Sequence, residues 1–218
     1  MTLLIDNDAL LKLAQYDLLD RVVTTFGFKM EDVKVLHTAG YTLLPAKNRL
    51  RRCKTEECAT RLEEFLAGAT TIKLEDANAD MIDMLSAPPN IDPGEALLLA
   101  AAASNMDAFV ITGDKRALTA LGEEESLAGV REALDSRVLS LELLFAFLVE
   151  SDFEDIQSAV RNKPEADRAL TNIFGVSAPA SLESVRSALD SYINHLRAAT
   201  GPLLHPPPEL VSDKDGEG

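Results

Sequence analysis

The segment that decides the fold is Ala108–Thr112, AFVIT, together with the helical patterns on either side of it. Its continuous apolar run is typical of a strand in a parallel sheet that is covered on both faces. The segment DPGEALLLAAAASNM, which begins at Asp92, predicts a buried helix because it is apolar almost all round. After the strand, Asp114 begins a second helical segment, KRALTALG. Strands that alternate with helices in this way are typical of α/β folds with a parallel sheet.

The same alternation extends over the first two thirds of the chain. Further strands are predicted in TLLI, VKVLHT and TTIKLE, and at the start of RVLSLELLFAFLVE. We therefore predict a three-layer α/β/α domain with a mainly parallel central sheet over residues 1–148. Strand patterns stop after about Glu150, and three helical patterns predict a C-terminal helical extension over residues 149–200. The Pro-rich and then acidic residues 201–218 predict a disordered or docking tail.

Composition indicates a folded, acidic protein. Of the 218 residues 46% are hydrophobic, and the formal net charge is -15. This charge argues against a protein that coats nucleic acid, because such binding comes from Lys and Arg. Cys53 and Cys58 lack the spacing of a zinc site and are too few for a disulfide framework. Since no signal peptide and no membrane-spanning apolar run is found, we expect a cytoplasmic protein.

Three acidic residues occur where the predicted elements would bring ligands together. Asp6 follows TLLI, Asp114 follows AFVIT, and Glu95 begins the Ala-rich helix before the second of these strands. Ligands of open parallel sheets bind at the carboxyl ends of the strands, so Asp6 and Asp114 converge if their strands are neighbours. Asp8 is a candidate fourth oxygen ligand. Crowded carboxylates favour Mg²⁺ or Mn²⁺, which can activate water and neutralise charge on a phosphodiester.

Each acid also has a structural explanation. Asp8 and Asp114 are predicted helix N-caps, and Asp92 with Glu95 fits a capping box. Asp6 is harder to explain in this way, because a carboxylate at the end of an apolar strand is costly unless it is paired. The histidines occur in unrelated contexts and are expected at the surface or in packing contacts; they are His37, His195 and His205.

The motifs LLIDNDALLKL, DPGEALLLAAA and FVITGDKRAL resemble the successive acidic motifs of the PIN-domain nucleases. The resemblance covers Met1 to about Phe147, so the helical extension lies outside it. It implies that Asp6, Glu95 and Asp114 are catalytic residues that ligate Mg²⁺ or Mn²⁺. The implied activity is metal-dependent hydrolysis of phosphodiester bonds, with RNA as the substrate. Many bacterial single-domain members are toxins of toxin–antitoxin pairs, which implies a small antitoxin as protein partner.

Other residues of these motifs have implied supporting roles or depart from the family pattern. Thr112 would support the site through its hydroxyl, and Asp8 stands where the family usually has Asn. The family often has a further acid beyond the third motif, but here Lys115 and Arg116 follow Asp114. The two cations either contact phosphate or balance the carboxylates, and the sequence leaves both roles open.

A basic cluster, KNRLRRCK, stands out in this acidic chain; its cations are Lys47, Arg49, Arg51, Arg52 and Lys54. They are candidates to bind the phosphates flanking a scissile bond or to receive an acidic partner segment. The alternative is a solvated helix face that balances the following segment, EECATRLEE, through i,i+4 pairs. The sequence does not decide between these interpretations.

Two other functions stay open at this point. LLIDNDAL and ITGDK also resemble motifs of haloacid-dehalogenase-like phosphatases, with Asp6 as the nucleophile and Asp8 as the general acid. That hypothesis leaves Glu95 without a role. The third hypothesis is a catalytically inactive PIN-like binding module that interacts through its C-terminal helices and tail. The oligomeric state is not predicted, and a homodimer remains open.

Overall fold

The structure, a computed structural model, describes residues 1–208 and is organised around a parallel five-stranded sheet. The strands are β1 (Thr2–Ile5), β2 (Val33–Leu36), β3 (Thr70–Ile72), β4 (Ala108–Thr112) and β5 (Val138–Ser140). Their order across the sheet is β3-β2-β1-β4-β5, and every neighbouring pair is parallel. The predicted α/β fold with a parallel central sheet is confirmed, and each predicted strand forms.

Helices connect the strands and flank the sheet. Up to β5 they are α1 (Asn7–Tyr16), α2 (Leu19–Thr25), α3 (Ala39–Leu43), α4 (Leu50–Cys53), α5 (Glu56–Gly68), α6 (Ala79–Leu85), α7 (Pro93–Ala103), α8 (Lys115–Glu123) and α9 (Ala128–Ala133). After β5 follow α10 (Leu141–Ser151), α11 (Phe153–Arg161), α12 (Arg168–Phe174) and α13 (Leu182–Thr200). Within residues 1–208, none of these helices has the length and apolar composition needed to cross a bilayer.

The centre of the sheet is buried, as the apolar runs of its strands predict. β1 and β4 pair in register, with Leu3 opposite Phe109 and Ile5 opposite Ile111. Leu3, Ile5 and Ile111 are fully buried, and every residue of α7 from Ala96 to Ala103 is also buried. Each large apolar side chain removed from water contributes about 1.5–3 kcal/mol, so this burial holds β1 beside β4. The carboxyl ends of these two strands are therefore neighbours.

Two predicted helical regions are interrupted. The pattern ALLKLAQYDLLDRVV divides into α1 and α2 at Asp17, whose φ of 63° is left-handed. The region from Leu43 to Ala67 forms parts of α3, α4 and α5, and Lys54 separates the last two with a φ of 68°. Asp17 and Lys54 are not the glycine or proline that usually signals the end of a helix. The helical periodicity therefore did not reveal either break.

The C-terminal helices pack closely against the α/β domain. α13 lies against α8 and α10. A Cβ at Gly122 in α8 would clash with the carbonyl oxygen of Ala199 in α13, so the two helices touch at their backbones. Arg186 of α13 also donates a hydrogen bond from Nε to Glu150 Oε1 of α10 at 2.7 Å. The extension is therefore continuous with the helical layer beside β4 and β5.

The start of the predicted tail lies along the edge of the sheet. Leu204 forms a parallel bridge with Val138 of β5, and the His205 amide donates to the Val138 carbonyl at 2.9 Å. Leu204 is buried at this position. Leu204 and His205 therefore extend the sheet edge, and residues 209–218 of the predicted tail lie outside the described part of the chain.

Candidate active site

A cavity of about 640 Å³ opens at the carboxyl ends of β1 and β4. The Asp6 amide donates to the Ile111 carbonyl at 3.0 Å, which continues the pairing of these strands into the site. Asp6, Asp114 and Glu95 all line the cavity, and so does Asp8. The structure thus brings the four predicted acidic residues to one place, because β1 and β4 are neighbours and α7 begins beside them.

Asp6 is held by donors on three sides. Its Oδ1 accepts a hydrogen bond from the Ala9 amide at 2.6 Å. Its Oδ2 accepts one from the Thr112 hydroxyl and another from the Gly113 amide at 2.9 Å. Burial raises the pKa of Asp6, and the hydrogen bonds from Thr112, Ala9 and Gly113 oppose that rise. These donors explain how a buried carboxylate, only 4% exposed, is tolerated at the end of an apolar strand.

Thr112 connects the loops that carry Asp6 and Asp114. Its hydroxyl donates to Asp6 Oδ2 and accepts a hydrogen bond from the Asp114 amide at 3.1 Å. A hydroxyl can do both at once, and no apolar side chain of the same shape can do either. The buried position of Thr112 is compatible with the supporting role that the resemblance implies.

Asp114 caps α8, as predicted. Its Oδ1 accepts hydrogen bonds from the amides of Arg116 at 2.8 Å and Ala117 at 3.0 Å. The predicted capping box at the start of α7 also forms, since Asp92 Oδ1 accepts from the Glu95 amide at 2.9 Å and Glu95 Oε2 accepts from the Asp92 amide at 2.8 Å. In both cases the cap occupies only one carboxylate oxygen, so capping and a role in the cavity are compatible.

The carboxyl groups of Glu95 and Asp114 interact directly. Burial raises the pKa of Glu95 to about 8, and the negative charges of Asp114 and Asp92 add to this rise. Burial alone would also raise the pKa of Asp114, but hydrogen bonds from the Ala117 amide and from Glu95 lower it. At neutral pH the pair therefore shares a proton that resides mainly on Glu95.

Asp8 is not the N-cap of α1, and that prediction was wrong. The helix begins at Asn7, so Asp6 takes the capping position and accepts from the third amide along. The Asp8 carboxylate instead lies 2.6 Å from Lys12 Nζ, which is also 2.8 Å from Asp167 Oδ2 at the start of α12. Asp8 has a close cation partner in Lys12, whereas the contact of Asp114 with Arg116 is longer, so Asp8 is the weaker candidate ligand of the two.

Lys115 and Arg116 both neutralise carboxylates in the structure. Lys115 Nζ contacts Glu142 Oε1 in α10, whose side chain is only 2% exposed, and lies 5.0 Å from the ring centroid of Tyr192 in α13. Arg116 Nη2 lies 3.4 Å from Asp114 Oδ2. Arg116 therefore balances an acid of the predicted site, whereas Lys115 pairs with Glu142, which is not among the acids that line the cavity. Glu142 was missed because its partner is distant in sequence.

The basic cluster divides into paired and unpaired cations. Arg49 Nη2 lies 2.8 Å from Glu63 Oε2, and Lys54 Nζ donates to the Arg51 carbonyl at 3.0 Å. Lys47, Arg51 and Arg52 are exposed and form no ion pair with any residue of the range 1–208. Arg52 also lines the acidic cavity. Arg49 is therefore balanced by acids of the following segment, Glu56 and Glu63, but neither pair has the predicted i,i+4 spacing.

The cavity includes polar residues that the sequence did not single out. His37, Thr38 and Thr42 line it from the segment after β2, and Asn7 lines it beside Asp6. His37 was expected at the surface or in packing, and only the position of β2 beside β1 shows that this exposed residue borders the cavity. The other histidines agree with the expectation: the His205 ring packs on Phe109 and Phe147, and His195 is exposed.

The donor chemistry of the cavity suits Mg²⁺ or Mn²⁺. Both ions prefer carboxylate oxygens, and a cation would offset the burial and the repulsion by Asp114 that together raise the pKa of Glu95. In the described range, however, no three His, Cys, Asp or Glu side chains are grouped so that they hold one ion together. Both oxygens of Asp6 are engaged by donors from the protein. Glu95 and Asp114 thus fit a cation as a pair, without a third ligand in place.

Comparison of the chain with protein-family models, with curated proteins and with solved structures gave no match. The resemblance to the PIN-domain nucleases therefore rests on the three sequence motifs. The class that the structure defines is an α/β protein with a five-stranded parallel sheet, flanking helices, and an acidic cavity at the carboxyl ends of its central strands.

Proposed function

We propose that the protein is a metal-dependent nuclease that hydrolyses phosphodiester bonds of RNA with Mg²⁺ or Mn²⁺. The observation that carries the proposal is the direct interaction of Glu95 with Asp114 in a cavity that Asp6 also lines. A helix cap needs only one carboxylate at each helix start and does not require three acids from separate elements to line one cavity. Acids crowded in this way are unfavourable unless a cation or a proton neutralises them, and a bound cation would replace the proton on Glu95.

The residues of the cavity have distinct roles in the proposed reaction. Glu95 and Asp114 would hold the ion, which when bound supplies activated water and neutralises charge on the phosphodiester. Asp6 is fixed beside them by its three hydrogen bonds and orients groups that enter the cavity. Thr112 fixes the positions of Asp6 and Asp114 relative to each other, since its hydroxyl forms hydrogen bonds with both residues. Arg52 lies at the cavity wall, where it can bind a phosphate of the substrate.

Several parts of the proposal rest on the sequence. The preference for RNA over DNA, and a small antitoxin as protein partner, follow from the resemblance to PIN-domain toxins. An RNA substrate and an antitoxin partner also imply a cytoplasmic location. A homodimer remains open.

The phosphatase hypothesis has less support from the site. It requires Asp6 to attack a phosphoryl group, but both oxygens of Asp6 already accept hydrogen bonds and the residue is buried. It requires Asp8 to act as the general acid, but Asp8 is paired with Lys12. It also gives no role to Glu95, which lines the same cavity.

The decisive experiment measures Mn²⁺ binding by calorimetry and cleavage of a single-stranded RNA by the same preparations. We expect the wild-type protein to bind Mn²⁺ and to cut the RNA, and Glu95→Gln and Asp114→Asn each to lose at least tenfold in both. Asp107→Asn is the matched control, because Asp107 is an exposed acid at the opposite end of β4. If wild-type protein binds no Mn²⁺ and cuts no RNA, the proposal is wrong and an inactive binding module becomes the better hypothesis.

A further inference from the structure

The segment from α3 to α4 carries three unpaired cations, one of which borders the acidic cavity, in a chain with a large excess of acids. The sequence contains 36 Asp and Glu against 21 Lys and Arg, so partners for every cation are abundant. Lys47, Arg51 and Arg52 nevertheless form no ion pair within residues 1–208, and Arg52 borders the cavity that holds Asp6 and Glu95. Cations that remain unpaired in such surroundings are available for an anion from outside the protein.

The same segment carries an exposed aromatic ring directly before a residue of the cavity wall. Tyr41 of α3 is 83% exposed, and the next residue, Thr42, lines the cavity. A ring that is open to solvent can stack on a nucleobase, and every base presents a face for this contact. The α3–α4 rim, defined as Tyr41, Lys47, Arg51 and Arg52, therefore combines the two features by which proteins hold single-stranded nucleic acid, a stacking ring and phosphate-binding cations.

We propose that the α3–α4 rim binds one single strand of nucleic acid and leads it into the acidic cavity. Arg51, Arg52 and Lys47 contact its phosphates, and Tyr41 stacks on one base. The cavity floor is acidic and repels phosphate, so the rim supplies most of the affinity. A duplex is disfavoured because its bases are paired and cannot stack on Tyr41. The cleavage of the bound strand rests on the proposed function, whereas the binding itself requires no metal.

The test is binding of a short fluorescent single-stranded RNA by the full chain in EDTA, followed by anisotropy over a range of salt concentrations. Each lost phosphate contact on a single strand lowers the salt slope by about 0.7, so Arg51→Ala/Arg52→Ala is expected to lower it by about 1.4 and to weaken binding at least tenfold. Tyr41→Ala is expected to weaken binding about fivefold or more, and Tyr41→Phe to retain it. Lys29→Ala, an exposed cation ahead of β2 at the opposite end of the sheet, is the control.

The inference is overturned if the double arginine variant binds RNA as Lys29→Ala does, or if a duplex binds as tightly as the single strand. It is also overturned if an acidic peptide binds the rim and RNA does not. Failure of the nuclease proposal gives a different result. In that case the rim variants lose RNA affinity as expected, but wild-type protein with Mn²⁺ leaves the bound RNA uncut. Conversely, if cleavage depends on Glu95 but the rim variants bind RNA as tightly as the wild type, the rim inference is wrong and the nuclease proposal stands.

Discussion

Glu95 of α7 and Asp114 at the start of α8 interact through their carboxyl groups, although they are 19 positions apart in the sequence. Each of them also takes part in a helix cap through one carboxylate oxygen, which fixes its backbone. The pair therefore combines a rigid position with a shared proton. Two tests follow from that proton, and three further tests follow from side-chain and helix contacts elsewhere in the structure.

The raised pKa of Glu95 predicts that the protein loses stability as pH rises. Glu95 ionises near pH 4.5 in the unfolded chain and at about 8 in the folded one, so the unfolded state releases its proton first. Stability from this group is complete below pH 4.5 and is lost as pH rises to about 8. Glu95→Gln should flatten this decline, by about 1–2 kcal/mol once solvent screening of the partly exposed group is allowed for. Urea unfolding at several pH values measures this decline. The same pH dependence of the free energy of unfolding in the wild type and in Glu95→Gln would contradict the prediction.

The shared proton also predicts that Mn²⁺ binding releases acid. If the cation replaces the proton on Glu95, the wild-type protein releases about one proton per ion at pH 7. Calorimetry in buffers of different ionisation enthalpy measures this number directly. Glu95→Gln should show weaker binding with close to no release, and Asp107→Asn should match the wild type. Release that is the same with and without Glu95 would assign the proton to another group.

Thr112 is expected to stabilise the fold through its hydroxyl. Thr112→Val keeps the shape but removes the donor to Asp6 and the acceptor for the Asp114 amide. Because both partners are left short of a hydrogen bond, we expect a loss of about 1–3 kcal/mol in the free energy of unfolding. Thr112→Ser retains the hydroxyl and is expected to lose less. Should the serine and valine variants prove equally destabilised, the methyl group rather than the hydroxyl carries the effect.

Lys115 is expected to stabilise the fold by neutralising the buried carboxylate of Glu142. Lys115→Met leaves that carboxylate without its cation. Breaking a buried pair costs about 3–5 kcal/mol, and we expect a smaller loss here because the Lys115 side chain is 40% exposed. Combining Lys115→Met with Glu142→Gln should restore much of the stability, and the double-mutant cycle isolates the interaction. Additive effects of the two substitutions would show that the pair is not coupled.

Gly122 is expected to set the distance between α8 and α13. Gly122→Ala places a Cβ against the carbonyl of Ala199, so we expect the helices to separate and the free energy of unfolding to fall by about 1–3 kcal/mol. Gly129→Ala in α9 is the matched control, because nothing lies within 4 Å of its added Cβ. Both changes raise helix propensity equally, so their difference reports the clash. Similar melting temperatures for the two variants would mean that the extension packs loosely.

Much of the fold was predictable because it depends on local interactions. The apolar run at Ala108–Thr112 indicated a buried parallel strand, and the capping box of Asp92 with Glu95 indicated the start of α7. The cap at Asp114 was predictable for the same reason. The exact capping residue was less predictable. Both Asp6 and Asp8 suit the N-cap of α1, and the sequence analysis assigned that position to Asp8. The three-dimensional path of the chain places Asp6 there.

Sequence alone established the strand and helix pattern, the acidic motifs and the excess of negative charge. Only the tertiary structure decided which acids form ion pairs, because several of their cation partners come from distant elements. Lys12 reaches Asp167 of the extension, and Lys115 reaches Glu142 of α10. The arrival of His37 at the cavity likewise depends on β2 lying beside β1. Pairing over such separations is set by how the helices pack on the sheet, and no local propensity encodes it.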